Sequence, residues 1–94
     1  MNYQPVVEDG AKLLDQKRPG WANEINTERL EMNDCQRCIL GQLYHYFSVG
    51  VHVLHIRPQV YGFDLPRTVS KWPFLRWPDL QSAWLVEIEK RRTP

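Results

Sequence analysis

The chain has little cysteine, no long apolar run and almost no net charge, and each shortage removes a class of protein. No stretch approaches the roughly 20 apolar residues that a membrane-spanning helix needs, so no membrane partner is expected. The chain does not open on a basic segment followed by an apolar core, so no signal peptide is expected either. Two cysteines, Cys35 and Cys38, are too few for a disulfide scaffold, and a reducing, cytoplasmic setting becomes the expectation. A formal net charge of +1 supplies no bulk field to draw in nucleic acid or a membrane surface. The glycine patterns that cradle phosphates, Gly-x-x-x-x-Gly-Lys and Gly-x-Gly-x-x-Gly, are missing. Ser48 and Ser70 lack a nucleophile-elbow context, and nothing fixes Asp64, Glu87 and Glu89 near one another. There is no positive sequence case for an enzyme, and no catalytic residue is assigned.

What is present suits one small folded domain spanning residues 1–94. A chain of this size buries about 60–65% of its unfolded surface, enough for one modest core. Apolar residues make up 43% and charged residues 24%, a balance that argues against disorder. Four Trp, four Tyr and three Phe provide large areas for burial or for contact with a partner. Charge is spread unevenly. Residues 1–34 hold four Lys/Arg against seven Asp/Glu, and residues 35–94 hold eight against four. Either the two halves attract each other within a dipolar monomer, or the second half presents a basic contact face.

Hydrophobic periodicity predicts a mainly α fold, a small single-domain helical bundle with helices near 6–17, 34–48 and 78–92. Pro5 can start the first and Pro19-Gly20 stops it. The central helix takes Asn33 or Asp34 as its cap, and Gly41 inside it implies that another element crosses closely there. Pro78 opens the last helix, whose Leu80, Trp84 and Ile88 form an apolar stripe, with Glu87, Glu89 and Lys90-Arg91-Arg92 on the polar side. Short turns are expected around 21–31 and 58–62. Residues 51–56 read either as a short extended segment or as continued helix. The expected core is Leu13, Leu14, Trp21, Ile25, Leu30, Cys38, Ile39, Leu43, Tyr46, Leu80, Trp84 and Ile88.

Cys35-x-x-Cys38 is the one spacing with chemical content. Three readings stay open: two buried apolar thiols, half of a metal site, or a redox dithiol with a thiolate favoured by a helix start. His52-x-x-His55 downstream completes a formal zinc-finger spacing. A continuous helix from Cys38 to Phe47 climbs about 13 Å, however, and the few residues left before His52 barely return that distance. Zinc is therefore not the expected cofactor, though Cys35 and Cys38 are the candidate ligands if a metal binds. His45, His52 and His55 read as surface or hydrogen-bonded histidines.

Residues 67–77 mix cations with aromatics: Arg67, Lys71, Trp72, Phe74, Arg76 and Trp77. That combination either closes over the core or forms a partner-binding surface, since Arg and aromatic residues dominate binding hot spots.

Five patterns occur in order: Gly10-Ala11-x-Leu13-Leu14-Asp15, Pro19-Gly20-Trp21, Cys35-x-x-Cys38-x-Leu40-Gly41-Gln42-Leu43-Tyr44, Tyr61-Gly62-Phe63 and Ala83-Trp84-x-x-x-Ile88. Together they resemble a family of small uncharacterised proteins encoded by actinobacteriophages and their hosts. The resemblance covers most of the chain. It implies a helix-rich protein in the cytoplasm of the bacterial host and transfers no catalytic residue. The resulting expectation is a non-enzymatic interaction module of phage type that modulates a host protein through residues 67–77. The alternative is a small nucleic-acid-binding regulator using Arg67, Lys71, Arg76, Lys90, Arg91 and Arg92 on DNA, with or without zinc at Cys35 and Cys38.

Overall fold

The computed structural model describes residues 3–64 and 77–92. The described residues form five helices and no strand: α1 (Gln4–Lys17), α2 (Trp21–Glu24), α3 (Ile39–Tyr44), α4 (Phe47–Leu54) and α5 (Trp77–Arg92). α1 packs on α5, α3 on α4, and the short α2 touches both α5 and α3. The fold is a mainly α small domain. No described helix is long and apolar enough to cross a membrane.

α1 begins at Gln4, two residues before its expected start. Pro5 sits in the first turn, where a missing amide costs nothing, and the Val7 amide donates to the Tyr3 carbonyl. Val7, Gly10, Ala11 and Leu14 recur at helical spacing and are all buried. Leu13, expected in the core, is only half-buried because it lies off that line. Gly20 then turns the chain at φ +82°, and Trp21 enters the core directly.

Trp21, Phe63 and Trp84 are the centre of the core. The Trp21 and Trp84 rings meet edge to face at 5.7 Å, and Phe63 stacks on Trp84 at 5.1 Å. Both indole N–H groups find acceptors: Trp84 Nε1 donates to the Gly62 carbonyl at 2.6 Å and Trp21 Nε1 to Asp15 Oδ1 at 2.9 Å. Gly62 reaches its position through φ +75°, closing the turn expected around 58–62.

The single helix expected over 34–48 is instead a turn and two helices. Asp34 explains the delayed start. Its carboxylate accepts from the amides of Gln36 and Arg37, which holds residues 34–37 in a side-chain-capped turn. The N-cap is therefore Cys38, whose Sγ accepts from the Gly41 amide at 3.2 Å, and not Asn33 or Asp34. α3 then ends after six residues. His45 takes φ +78°, Tyr46 is extended, and the Phe47 amide reaches back to the Cys35 carbonyl at 2.8 Å. Tyr46, expected inside, is consequently half exposed at 50%.

Residues 51–54 continue α4, so the extended alternative for 51–56 is set aside; His55 stops the helix in a left-handed conformation at φ +55°. β-branched residues weaken a helix only slightly, and packing against α3 outweighs them. At Gly41 the approach is close, but what fills the space is the backbone of Cys35 and Gln36 in the turn just before α3, and not the other element expected to cross there.

α5 corrects the expectation for Glu87, which belongs to the buried stripe with Leu80, Ala83, Trp84 and Ile88. It is 2% exposed, and its carboxylate accepts from Gln4 Nε2 at 2.6 Å, Lys90 Nζ at 3.0 Å and Arg91 at 2.9 Å. Arg91 also forks onto both oxygens of Asp15, at 2.9 Å each, and so clamps α1 to α5.

Burial pushes the Glu87 carboxyl up, but hydrogen bonds from Arg91, Lys90 and Gln4 together leave it below its ordinary value. The Arg91 hydrogen bond, opposed by burial, holds Asp15 low as well. Both groups thus stabilise the fold fully above about pH 4, the ordinary carboxylate range, and that stability is lost as pH falls through their lowered values. Urea midpoints measured from neutral pH into acid should fall for the wild type. They should fall less for Arg91→Met, which removes the charged partner that both carboxylates share.

Candidate functional site

Two concavities are built on the turn that precedes α3. The first is an apolar groove of about 210 Å³ lined by Met32, Cys35, Cys38, Phe47, Phe63 and Trp77, with Asn33, Asp34 and Asp64 at its polar edges. Phe63 and Met32 come from the core, while Phe47 and Trp77 are half-buried and pack against it. The Met32 amide is tied to Gln81 Oε1 at 3.1 Å, which fixes this wall of the groove to α5.

Trp77 is the one member of the expected partner-binding set within the described residues. Arg67, Lys71, Trp72, Phe74 and Arg76 lie outside them. Asp64 and Trp77, the described residues on either side of that segment, line the same groove.

The two cysteines share the groove in different states. Cys35 is exposed and Cys38 is 1% exposed, both as free thiols. Burial pushes the Cys38 thiol above its ordinary range, against the amides of Gly41 and Leu40 that favour its thiolate. The dipole argument for a lowered thiol therefore fails at Cys38, because burial is the larger effect. As for metal, α3 is too short to impose the long climb from Cys38 to Phe47, so that objection to a Cys/His set does not stand. What the fold shows is that no three His, Cys, Asp or Glu among the described residues come together as a metal-holding group. His52, in the last turn of α4, and His55, which caps it, lie beside each other with ring centroids 5.8 Å apart.

The cations expected at the end of α5 are engaged within the fold. Arg91 holds Asp15 and Glu87, and Lys90 holds Glu87. Arg92 donates through Nε to the Ala22 carbonyl at 2.9 Å and through a terminal nitrogen to the Ile25 carbonyl. It thereby satisfies carbonyls at the end of α2 that the helix itself leaves open. Of the two accounts of the uneven charge, attraction between the halves describes the Arg91–Asp15 pair, while the pairs on Glu87 lie within the second half.

The second concavity is polar and has about 470 Å³ of space. Its lining includes Glu24, Asn26, Arg29, Arg37, Gln42 and His45. Gln42 organises it: Oε1 accepts from the Asn26 amide at 2.7 Å, while Nε2 donates to the carbonyls of Asn26 at 3.1 Å and Arg37 at 3.0 Å. Sequence reasoning missed this site, because Arg29, Arg37 and His45 stand in three separate segments. The only local signal was the pair of side-chain turns at Asn26 and Asp34.

No protein-family model, curated protein or solved structure matches the chain.

Proposed function

We propose that this protein is a non-enzymatic interaction module that binds and modulates a host protein, with the apolar groove receiving a side chain of the partner. One observation carries the proposal. Trp77, the described end of the aromatic and basic stretch, forms a wall of a groove whose other walls are Phe47, Phe63 and Met32. A half-buried indole beside an open apolar slot is the kind of anchor that dominates binding energy at interfaces. Arg67, Lys71, Trp72, Phe74 and Arg76 would extend the contact from there. The resemblance to actinobacteriophage proteins supplies the setting, a bacterial cytoplasm during infection.

The DNA-binding alternative receives less support. Lys90, Arg91 and Arg92 are paired with acidic or carbonyl groups of the fold, so a DNA contact would rest on Arg67, Lys71 and Arg76.

Affinity capture from an actinobacterial lysate tests the proposal with two variants. Trp77→Ala removes the wall. Cys35→Arg sets a charged, bulky group on the exposed rim without touching the core. Wild type is expected to retain a protein that both variants lose, while both variants still unfold cooperatively. Retention of that protein by folded Cys35→Arg would sink the groove as the contact.

A further inference from the structure

The polar concavity shares no lining residue with the apolar groove, and its chemistry points elsewhere. Its charged members are Arg29, Arg37, His45 and Glu24. Glu24 is already neutralised: both of its oxygens accept from Arg18, at 3.1 and 2.9 Å. Arg29 and Arg37 are exposed, and neither guanidinium has an acceptor among the described residues. Arg37 feels the Asp34 carboxylate across its turn, but neither guanidinium is hydrogen-bonded to an acid, and Arg29, Arg37 and His45 line one hollow.

The backbone beneath them is held in place. Arg29 follows a turn in which Asn26 Oδ1 accepts from the Glu28 amide at 3.0 Å. Arg37 follows the turn capped by Asp34. Gln42 ties the two turns together across the floor, as its three hydrogen bonds show. His45 completes the rim at φ +78°, a conformation that residues other than glycine rarely adopt.

We propose that this concavity binds the terminal phosphate of a small phosphorylated molecule, with Arg29 and Arg37 as anchoring cations and His45 as a further donor. The guanidinium fork matches phosphate oxygens two at a time. Two forks with no hydrogen-bonded carboxylate in one hollow suit the doubly charged terminal phosphate better than a singly charged carboxylate or diester. The hollow also falls within the usual size of small-ligand sites, about 300–1,000 Å³.

Titration of the 15N-labelled protein with inorganic pyrophosphate, followed by NMR, tests the assignment. A nucleoside monophosphate and a short oligonucleotide without terminal phosphates form the other arms, and acetate at matched ionic strength is the control. Saturating shifts at the amides of Gly41, Gln42 and His45 and at the Arg29 and Arg37 Nε groups are expected, with a Kd of about 1 mM or tighter. Arg29→Gln and Arg37→Gln should each weaken binding roughly tenfold while leaving the ligand-free spectrum unchanged elsewhere. His45→Asn places a residue type enriched at positive φ there and should weaken binding without unfolding the chain. Shifts that fail to saturate, that acetate reproduces, or that survive the double Arg variant would overturn the site. Tighter binding of the oligonucleotide than of the monophosphate would overturn the terminal-phosphate assignment.

Discussion

Trp84→Ala should lower the stability of the fold by about 3–5 kcal/mol, the range for truncating a fully buried aromatic. Trp84 has no exposed surface, and it touches every other part of the core centre: Trp21 edge to face, Phe63 by stacking and Gly62 through its N–H. Typical domain stabilities are about 5–15 kcal/mol, so this one change can consume most of the margin. Trp84→Phe separates packing from hydrogen bonding. It keeps a ring in the cavity and leaves the Gly62 carbonyl without its donor, which costs about 1–3 kcal/mol. Guanidinium unfolding of both variants checks the order. If Trp84→Phe is as stable as wild type, the indole bond to Gly62 contributes nothing and the core rests on ring contacts alone.

Gly10→Ala is the second large effect, and its sign separates local from tertiary physics. In an isolated helix the change stabilises by about 1 kcal/mol. Here a Cβ at position 10 would run into the Tyr61 carbonyl oxygen and come within 3.0 Å of the Trp84 ring. The obstacle is backbone, which cannot rotate away, so the α1 contact with residue 61 must open. Overpacking of this kind costs about 1–3 kcal/mol and exceeds the propensity gain. The melting temperature should fall by several degrees, since about 1 kcal/mol moves a domain of this size by 4–8 °C. Gly20→Ala provides the comparison. Nothing lies within 4 Å of its added Cβ, and its cost is confined to the positive φ. A rise in melting temperature for Gly10→Ala would show that the turn at 58–62 yields easily.

These two glycines show what the sequence could and could not disclose. Gly10 looks like a weak point in a helix, and only the path of residues 58–62 reveals that a carbonyl needs the space. Gly41 was legible as a close approach but not as to its cause, because the chain's own preceding turn, and no separate element, takes the space. The outer helices were legible: in each, a proline opens an apolar stripe of period 3.6, and burial follows that stripe at Val7, Ala11 and Leu14 and at Leu80, Trp84 and Ile88. The break at His45 was not. Apolar residues continue at helical spacing from Cys35 to Leu54, and no glycine or proline marks the reversal. The chain turns there through a histidine at positive φ, a strain of about 1–3 kcal/mol that Gln42 and the Phe47–Cys35 hydrogen bond hold in place. Glu87 was misjudged because residue type was weighed above position. It stands three residues from Trp84 on the buried line, with Lys90 and Arg91 one turn further on to neutralise it. For the candidate sites, composition singled out Trp77 as closing over the core or facing a partner, and only the fold sets it in a groove wall. The polar hollow was not legible, because it depends on two turns brought together by one glutamine.

The clamp between α1 and α5 also governs the order in which the chain can fold. Gln4 meets Glu87 and Asp15 meets Arg91, separations of 83 and 76 residues. Val7 and Gly10 also meet the turn at 58–62, but among the described helices α1 packs chiefly on α5, so much of its apolar stripe stays uncovered until residues 80–92 have left the ribosome. Closing so long a loop comes before the reward of packing, which slows folding relative to helical bundles built from neighbouring hairpins. The pair α3 and α4, adjacent in sequence and crossing tightly at Gly50, can form early and wait. During synthesis the nascent chain therefore exposes Ala11 and Leu14 until residues 80–92 emerge, an interval in which a chaperone has a surface to hold.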